Sequence, residues 1–174
     1  MSKINAQKQI VNMPSVDVSG ITLVTPQATT SGTASDYTGI PSWVKRITVM
    51  FSGVSTNGTS NLLVQLGDSG GVESIGYSSG AGYGVAGGQF TSSTAGFVLD
   101  PSASAAALRS GSMIINLLGS NSWASQSVVY SSTATTSVSG GGAKTLSDVL
   151  DRVRLTTVNG TDTFDAGSWS ISYE

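Results

Sequence analysis

Ser69 stands in the string Gly67-Asp68-Ser69-Gly70-Gly71, where a serine-protease nucleophile would be flanked by backbone amides able to hold an oxyanion. That chemistry needs a histidine to take the hydroxyl proton, and the chain contains none. A lysine-assisted serine would need Lys45 or Lys144 beside Ser69, and nothing in the sequence puts either there. The favoured reading is a turn, because Asp, Ser and Gly between two extended segments supply the local hydrogen bonds and backbone freedom that a reversal requires.

Asp162 and Asp165 are the next candidates, since a glycosidase needs two carboxylates at a fixed separation. Two carboxylates close in sequence within a loop do not set that separation, and the expectation is that they accept hydrogen bonds from nearby amides. With Asn159 they offer hard oxygen ligands for calcium, but their spacing is not that of an EF-hand loop. Asn57-Gly58-Thr59 and Asn159-Gly160-Thr161 fit the glycosylation pattern and fit hairpin turns better.

Two readings stay open for the glycine-rich segment 76–88, GYSSGAGYGVAGG. It is either a binding tip in which Tyr77 and Tyr83 stack on sugar rings, or a long surface loop. Trp43, Trp123 and Trp169 are expected in the core or at a subunit interface. Arg152 and Arg154 share one side of their strand and call for carboxylate partners that the sequence does not name.

Composition narrows the function classes further. The 174 residues carry 39% hydrophobic side chains, enough for one domain with a real core. Cysteine is absent, which excludes thiol catalysis, disulfides and thiolate metal sites. No cofactor is expected, and the residue inventory points away from an enzyme. Only 10% of residues are charged, the net charge is -2, and no Lys or Arg lies between Arg46 and Arg109, so nucleic-acid binding is not expected. Ser, Thr and Gly make up about two-fifths of the chain, the balance of a β-rich domain with many turns. No apolar run reaches the length of a membrane span, and the polar N-terminus shows no signal-peptide core, so membrane insertion is not expected.

Short extended segments must position these residues. Strands are predicted over 21–25, 35–38, 44–51, 62–66, 73–77, 96–99, 113–118, 123–130, 151–158 and 167–173. Ile47, Val49 and Phe51 share one face of their segment, the period of a half-buried strand. Met113, Ile115 and Leu117 repeat it, while Ile114 and Leu118 make the opposite face apolar and leave it to be covered by a loop or by a subunit partner. Brief helical turns are expected at 102–108 and 145–150. Residues 1–30 read as an arm, whose N-terminal part offers only Ile4, Val11 and Met13 as sizeable apolar anchors, and 31–174 as the domain. Ten short strands favour an all-β antiparallel sandwich, jelly-roll-like, behind that arm.

Three blocks, IPSWVKRITVMFSGVSTNGTSNLLVQLGD (40–68), MIINLLGSNSWASQS (113–127) and LDRVRLTTVNGTDTFDAGSWSISYE (150–174), occur in the order found in a domain of tailed-phage tail fibres and related virion proteins, which the chain resembles from about Ser31 onward. The resemblance implies a non-enzymatic protein on the exterior of a phage virion, made in the host cytoplasm and self-associating as a homotrimer. A short arm without a long fibre shaft suits a capsid decoration or head-fibre protein, docked on capsid or tail proteins through Ile4, Val11 and Met13. The alternative is a tail-fibre or tail-tip adhesin that attaches to a host surface glycan.

Overall fold

A computed structural model describes residues 20–84, 88–101, 104–105 and 107–174. Its strands are β1 (Thr22–Leu23), β2 (Gln27–Ala28), β3 (Ser35–Thr38), β4 (Arg46–Thr56), β5 (Leu62–Asp68), β6 (Gly71–Val72), β7 (Tyr77–Tyr83), β8 (Phe90–Ser93), β9 (Phe97–Val98), β10 (Arg109–Gly119), β11 (Ser122–Ser131), β12 (Thr136–Thr145), β13 (Arg152–Thr157) and β14 (Phe164–Tyr173). A nine-stranded sheet runs β1-β14-β4-β10-β11-β12-β7-β8, with β2 also on β14. A five-stranded sheet runs β3-β13-β5-β6, with β9 also on β5. The two antiparallel sheets pack together as a β-sandwich, the expected fold.

Alternation builds the core. Ile47, Val49 and Phe51 of β4 and Met113 and Ile115 of β10 point inward, where they meet Leu62, Val64 and Leu66 of β5 and Val153 and Leu155 of β13. Each such side chain contributes about 1.5–3 kcal/mol by leaving water. A second, smaller cluster of Leu63, Ala81, Val98 and Val138 fills one side, so β5 is buried along its whole length.

The two Asn-Gly turns are not hairpins. Asn57-Gly58 carries the chain from β4 to β5, and Asn159-Gly160 carries it from β13 to β14, each time from one sheet to the other. The reason is that the turns bond to each other: Asn57 N–H donates to the Thr163 carbonyl at 2.9 Å, and Thr163 N–H donates to Asn57 Oδ1 at 2.9 Å. A tight hairpin does form at Ser120-Asn121, whose φ angles of 47° and 60° are the paired positive values of a type I′ turn between Gly119 and Ser122.

Several further expectations are corrected. Segment 145–150 holds no helical turn: after β12 ends at Thr145 it is a loop, fixed by Leu146 N–H on the Asn121 carbonyl and by Ser147 on Asp68 and Glu73. The described residues of 102–108 hold no helix either. The strand predicted over 73–77 begins only at Tyr77, because Gly76 takes a φ of 78° that breaks the extended run. Within the segment taken as an arm, Thr22–Leu23 and Gln27–Ala28 are laid along β14, while residues 1–19, with Ile4, Val11 and Met13, lie outside the described residues.

Candidate functional site

Asp68, Glu73, Lys144, Asp162 and Asp165 are each engaged in holding a loop. Ser69 sits in the turn between β5 and β6, where Gly70 N–H donates to Asp68 Oδ1 at 2.8 Å and Ser147 Oγ donates to Asp68 Oδ2 at 2.7 Å. The Ser147 and Gly70 bonds hold the Asp68 carboxyl below the usual carboxylate range. Lys144 points inward, donates to the Ile75 carbonyl at 3.0 Å and pairs with Glu73. Burial pushes the Glu73 carboxyl up, but the bonds from Lys144 and Ser147 outweigh it and leave it lowered. Lys45 is exposed at the start of β4.

The carboxylates of the last corner do the same work. Asp162 accepts Asn159 Nδ2 at 2.6 Å and Ser60 N–H at 2.8 Å, which together hold its carboxyl below the usual range. Asp165 accepts the Ser55 hydroxyl instead. No group of three or more His, Cys, Asp or Glu able to hold a metal occurs among the described residues. Arg154 meets Asp36 through two 2.7 Å bonds, and Arg152 meets Asp151 at 2.7 Å, which supplies the carboxylates their pattern called for.

The stacking role of Tyr77 is corrected. Segment 76–88 is largely strand β7, with 85–87 outside the described residues, and Tyr77 is 3% exposed. Its ring meets the edge of Phe97 at 5.1 Å and lies 5.3 Å from Lys144 Nζ, so neither face is open to a sugar. Tyr83 is half-buried on the smaller core cluster and donates its hydroxyl to Asp100 at 3.3 Å. Of the tryptophans, Trp123 and Trp169 are buried, while Trp43 is 47% exposed, edge-on to Tyr173 at 5.8 Å.

The surface that stands out is the exterior of the nine-stranded sheet. Register places Ser170, Met50, Ser112, Val128, Ser139, Gly82 and Phe90 in one outward row crossing β14, β4, β10, β11, β12, β7 and β8. The next row is Ser172, Thr48, Ile114, Gln126, Gly141, Gly80 and Ser92. Neither row contains a charged residue. Ile114 and Leu118 signalled this face in the sequence; the contribution of Val128 and Tyr130, alternating with buried Val129, was missed although their period-2 spacing carries the same signal.

The chain matches no known family pattern, no curated protein and no solved structure.

Proposed function

We propose that this chain is a non-enzymatic structural protein displayed on a phage virion, as a homotrimeric capsid decoration or head-fibre protein anchored by its N-terminal arm. The observation that carries the non-enzymatic part is the use of Asp68, Glu73, Lys144, Asp162 and Asp165 as loop fasteners. The virion part rests on the three sequence blocks that resemble tail-fibre domains. Immunogold electron microscopy on intact particles, with gene-deleted particles as control, tests it. Label over the head is the expected result, label confined to the tail replaces it with the tail-fibre or tail-tip adhesin, and no label on any particle overturns it.

The exposed ring of Trp43, beside the cations Lys45 and Arg46, favours a second reading in which the domain binds a host surface glycan. Whole-cell adsorption and glycan-array binding that is lost in Trp43→Ala would support it; an array with no binding at all removes it.

A further inference from the structure

We infer that the exterior of the nine-stranded sheet is the surface through which copies of this chain associate, centred on the row from Met50 through Ser112 and Val128 to Phe90. The inference deepens the homotrimer of the preceding reading and rests on it only for the expectation that copies associate.

Charge separates the two sheet exteriors. The smaller sheet carries Arg154 with Asp36 and Arg152 with Asp151 on its outer side. The larger sheet carries none in its two central rows, and Arg46, at the start of β4, is paired with Glu174 at 3.0 Å. Depletion of charge at the centre of a patch is the compositional mark of an interface. A charged partner would leave its ions desolvated against neutral groups, whereas a second neutral sheet leaves none. This chain supplies such a sheet, and its serine and threonine hydroxyls donate and accept alike, so the face is complementary to itself.

The relief fits the same occupant. Val128 is 57% exposed and Phe90 is 72% exposed, and both belong to one register row rather than to scattered positions. Leu23, Pro26 and Met50 line one groove of this face, and Ser112, Ile114 and Val128 line another. Between these ribs the floor is low at Gly141, an outward position without a side chain, while the Phe90 ring lies over Gly80 and Gly82, where a Cβ on Gly80 would fall 2.6 Å from Phe90 Cζ, and forms the rib at the β8 edge. Ribs and hollows on one sheet are what a second sheet interdigitates with.

Area agrees. The strands β14, β4, β10, β11 and β12, each of ten or eleven residues, at about 4.8 Å spacing and about 33 Å length give a face of roughly 800 Å², which matches the about 800 Å² per partner of a stable interface.

The test is light scattering on the full chain at micromolar concentration, for the wild type, Val128→Asp, Ile114→Lys and Val158→Asp. Val158, 53% exposed at a corner away from this face, is the control. The wild type and Val158→Asp should be oligomers, while Val128→Asp and Ile114→Lys should dissociate, with Kd raised about 100-fold. Because the chain has no cysteine, thiols introduced by Val128→Cys and by Val158→Cys give a second readout that needs no disruptive variant. Alkylation of the first should slow as concentration rises, and alkylation of the second should not. A monomeric wild type overturns both this inference and the homotrimer, even if Val128→Asp then fails to join particles. An oligomer that keeps its mass in both face variants, with the Val128→Cys thiol reactive throughout, overturns the face alone. Immunogold labelling speaks to the virion reading without touching either result.

Discussion

The carboxylate of Asp162 accepts the backbone N–H of Ser60 at 2.8 Å across 102 positions of sequence, tying the β13–β14 corner to the β4–β5 corner. The charge-assisted bonds from Asn159 and Ser60 favour the ionised form, so the folded carboxyl titrates below its unfolded value. A depressed pKa contributes stability that is fully present above the unfolded value, about 3.9, and is lost as pH falls through the folded one. Asp162→Asn should therefore lower Tm at neutral pH, with the gap to wild type closing below about pH 4 as the wild-type carboxyl protonates. A gap that stays constant from pH 7 to pH 3 would show that the charge does not matter.

Gly58 is sterically bound to the same carboxylate. A Cβ at this position would fall 2.1 Å from Asp162 Cγ, although the backbone there needs no positive φ. Gly58→Ala should cost about 1–3 kcal/mol, because the side chain must give up its corner bonds to make room. In an Asp162→Ala background the obstructing atoms are gone and the same change should cost under about 0.5 kcal/mol. Chemical denaturation of the four variants measures the coupling, and additivity would refute the steric account.

Arg109 and Asp100 form an ion pair at 3.0 Å whose side chains are both essentially inaccessible to water. Arg109 also donates to the Ala107 carbonyl at 2.9 Å, so one guanidinium organises the approach to β10. Breaking a buried pair from one side strands a charge, and Asp100→Ala should cost about 3–5 kcal/mol by denaturant unfolding. Replacing both, as Asp100→Leu with Arg109→Met, should recover most of that loss. Equal losses in the single and double variants would mean that packing, not charge, is what the site needs.

What could be read from sequence was the strand periodicity. The alternation at Ile47, Val49 and Phe51 predicted the core face of β4, and the placing of Arg152 and Arg154 on one side of their strand anticipated the outer side of β13, because period 2 is a local property. β12 was missed because Thr136–Thr145 contains three successive glycines and little apolar alternation. Its glycines answer a tertiary demand: a Cβ on Gly142 would lie 2.5 Å from the Ser78 carbonyl of β7. The Asn-Gly turns were legible as turns but not as sheet crossings, since their partners lie about a hundred residues away. The partner of Arg154 was hidden for the same reason: Asp36 faces it only through the β3–β13 register.

Tyr77 looked like a binding residue because aromatic and glycine stood together, yet its hydroxyl is a hub of the core. It accepts Leu66 N–H at 2.7 Å and donates to the Glu73 carbonyl at 3.0 Å. Burial pushes its phenol well above the usual range, further than the bond from Leu66 lowers it. For a group whose folded pKa is raised, the stabilisation is complete below the unfolded value of about 10 and is lost as pH climbs above it, because the unfolded chain then releases a proton the folded chain keeps. Tyr77→Phe should cost about 1–3 kcal/mol at neutral pH by leaving the Leu66 amide without that acceptor. The variant should also show a shallower fall in Tm between pH 9 and pH 11 than the wild type. Phenolate absorbance supplies the check: in the wild type Tyr77 should ionise only together with unfolding, and comparison with Tyr77→Phe separates it from Tyr37, whose phenol burial also raises. If every tyrosine ionised at an ordinary midpoint while the fold stayed intact, Tyr77 would have to be reached by solvent, and its assignment to the core would fall.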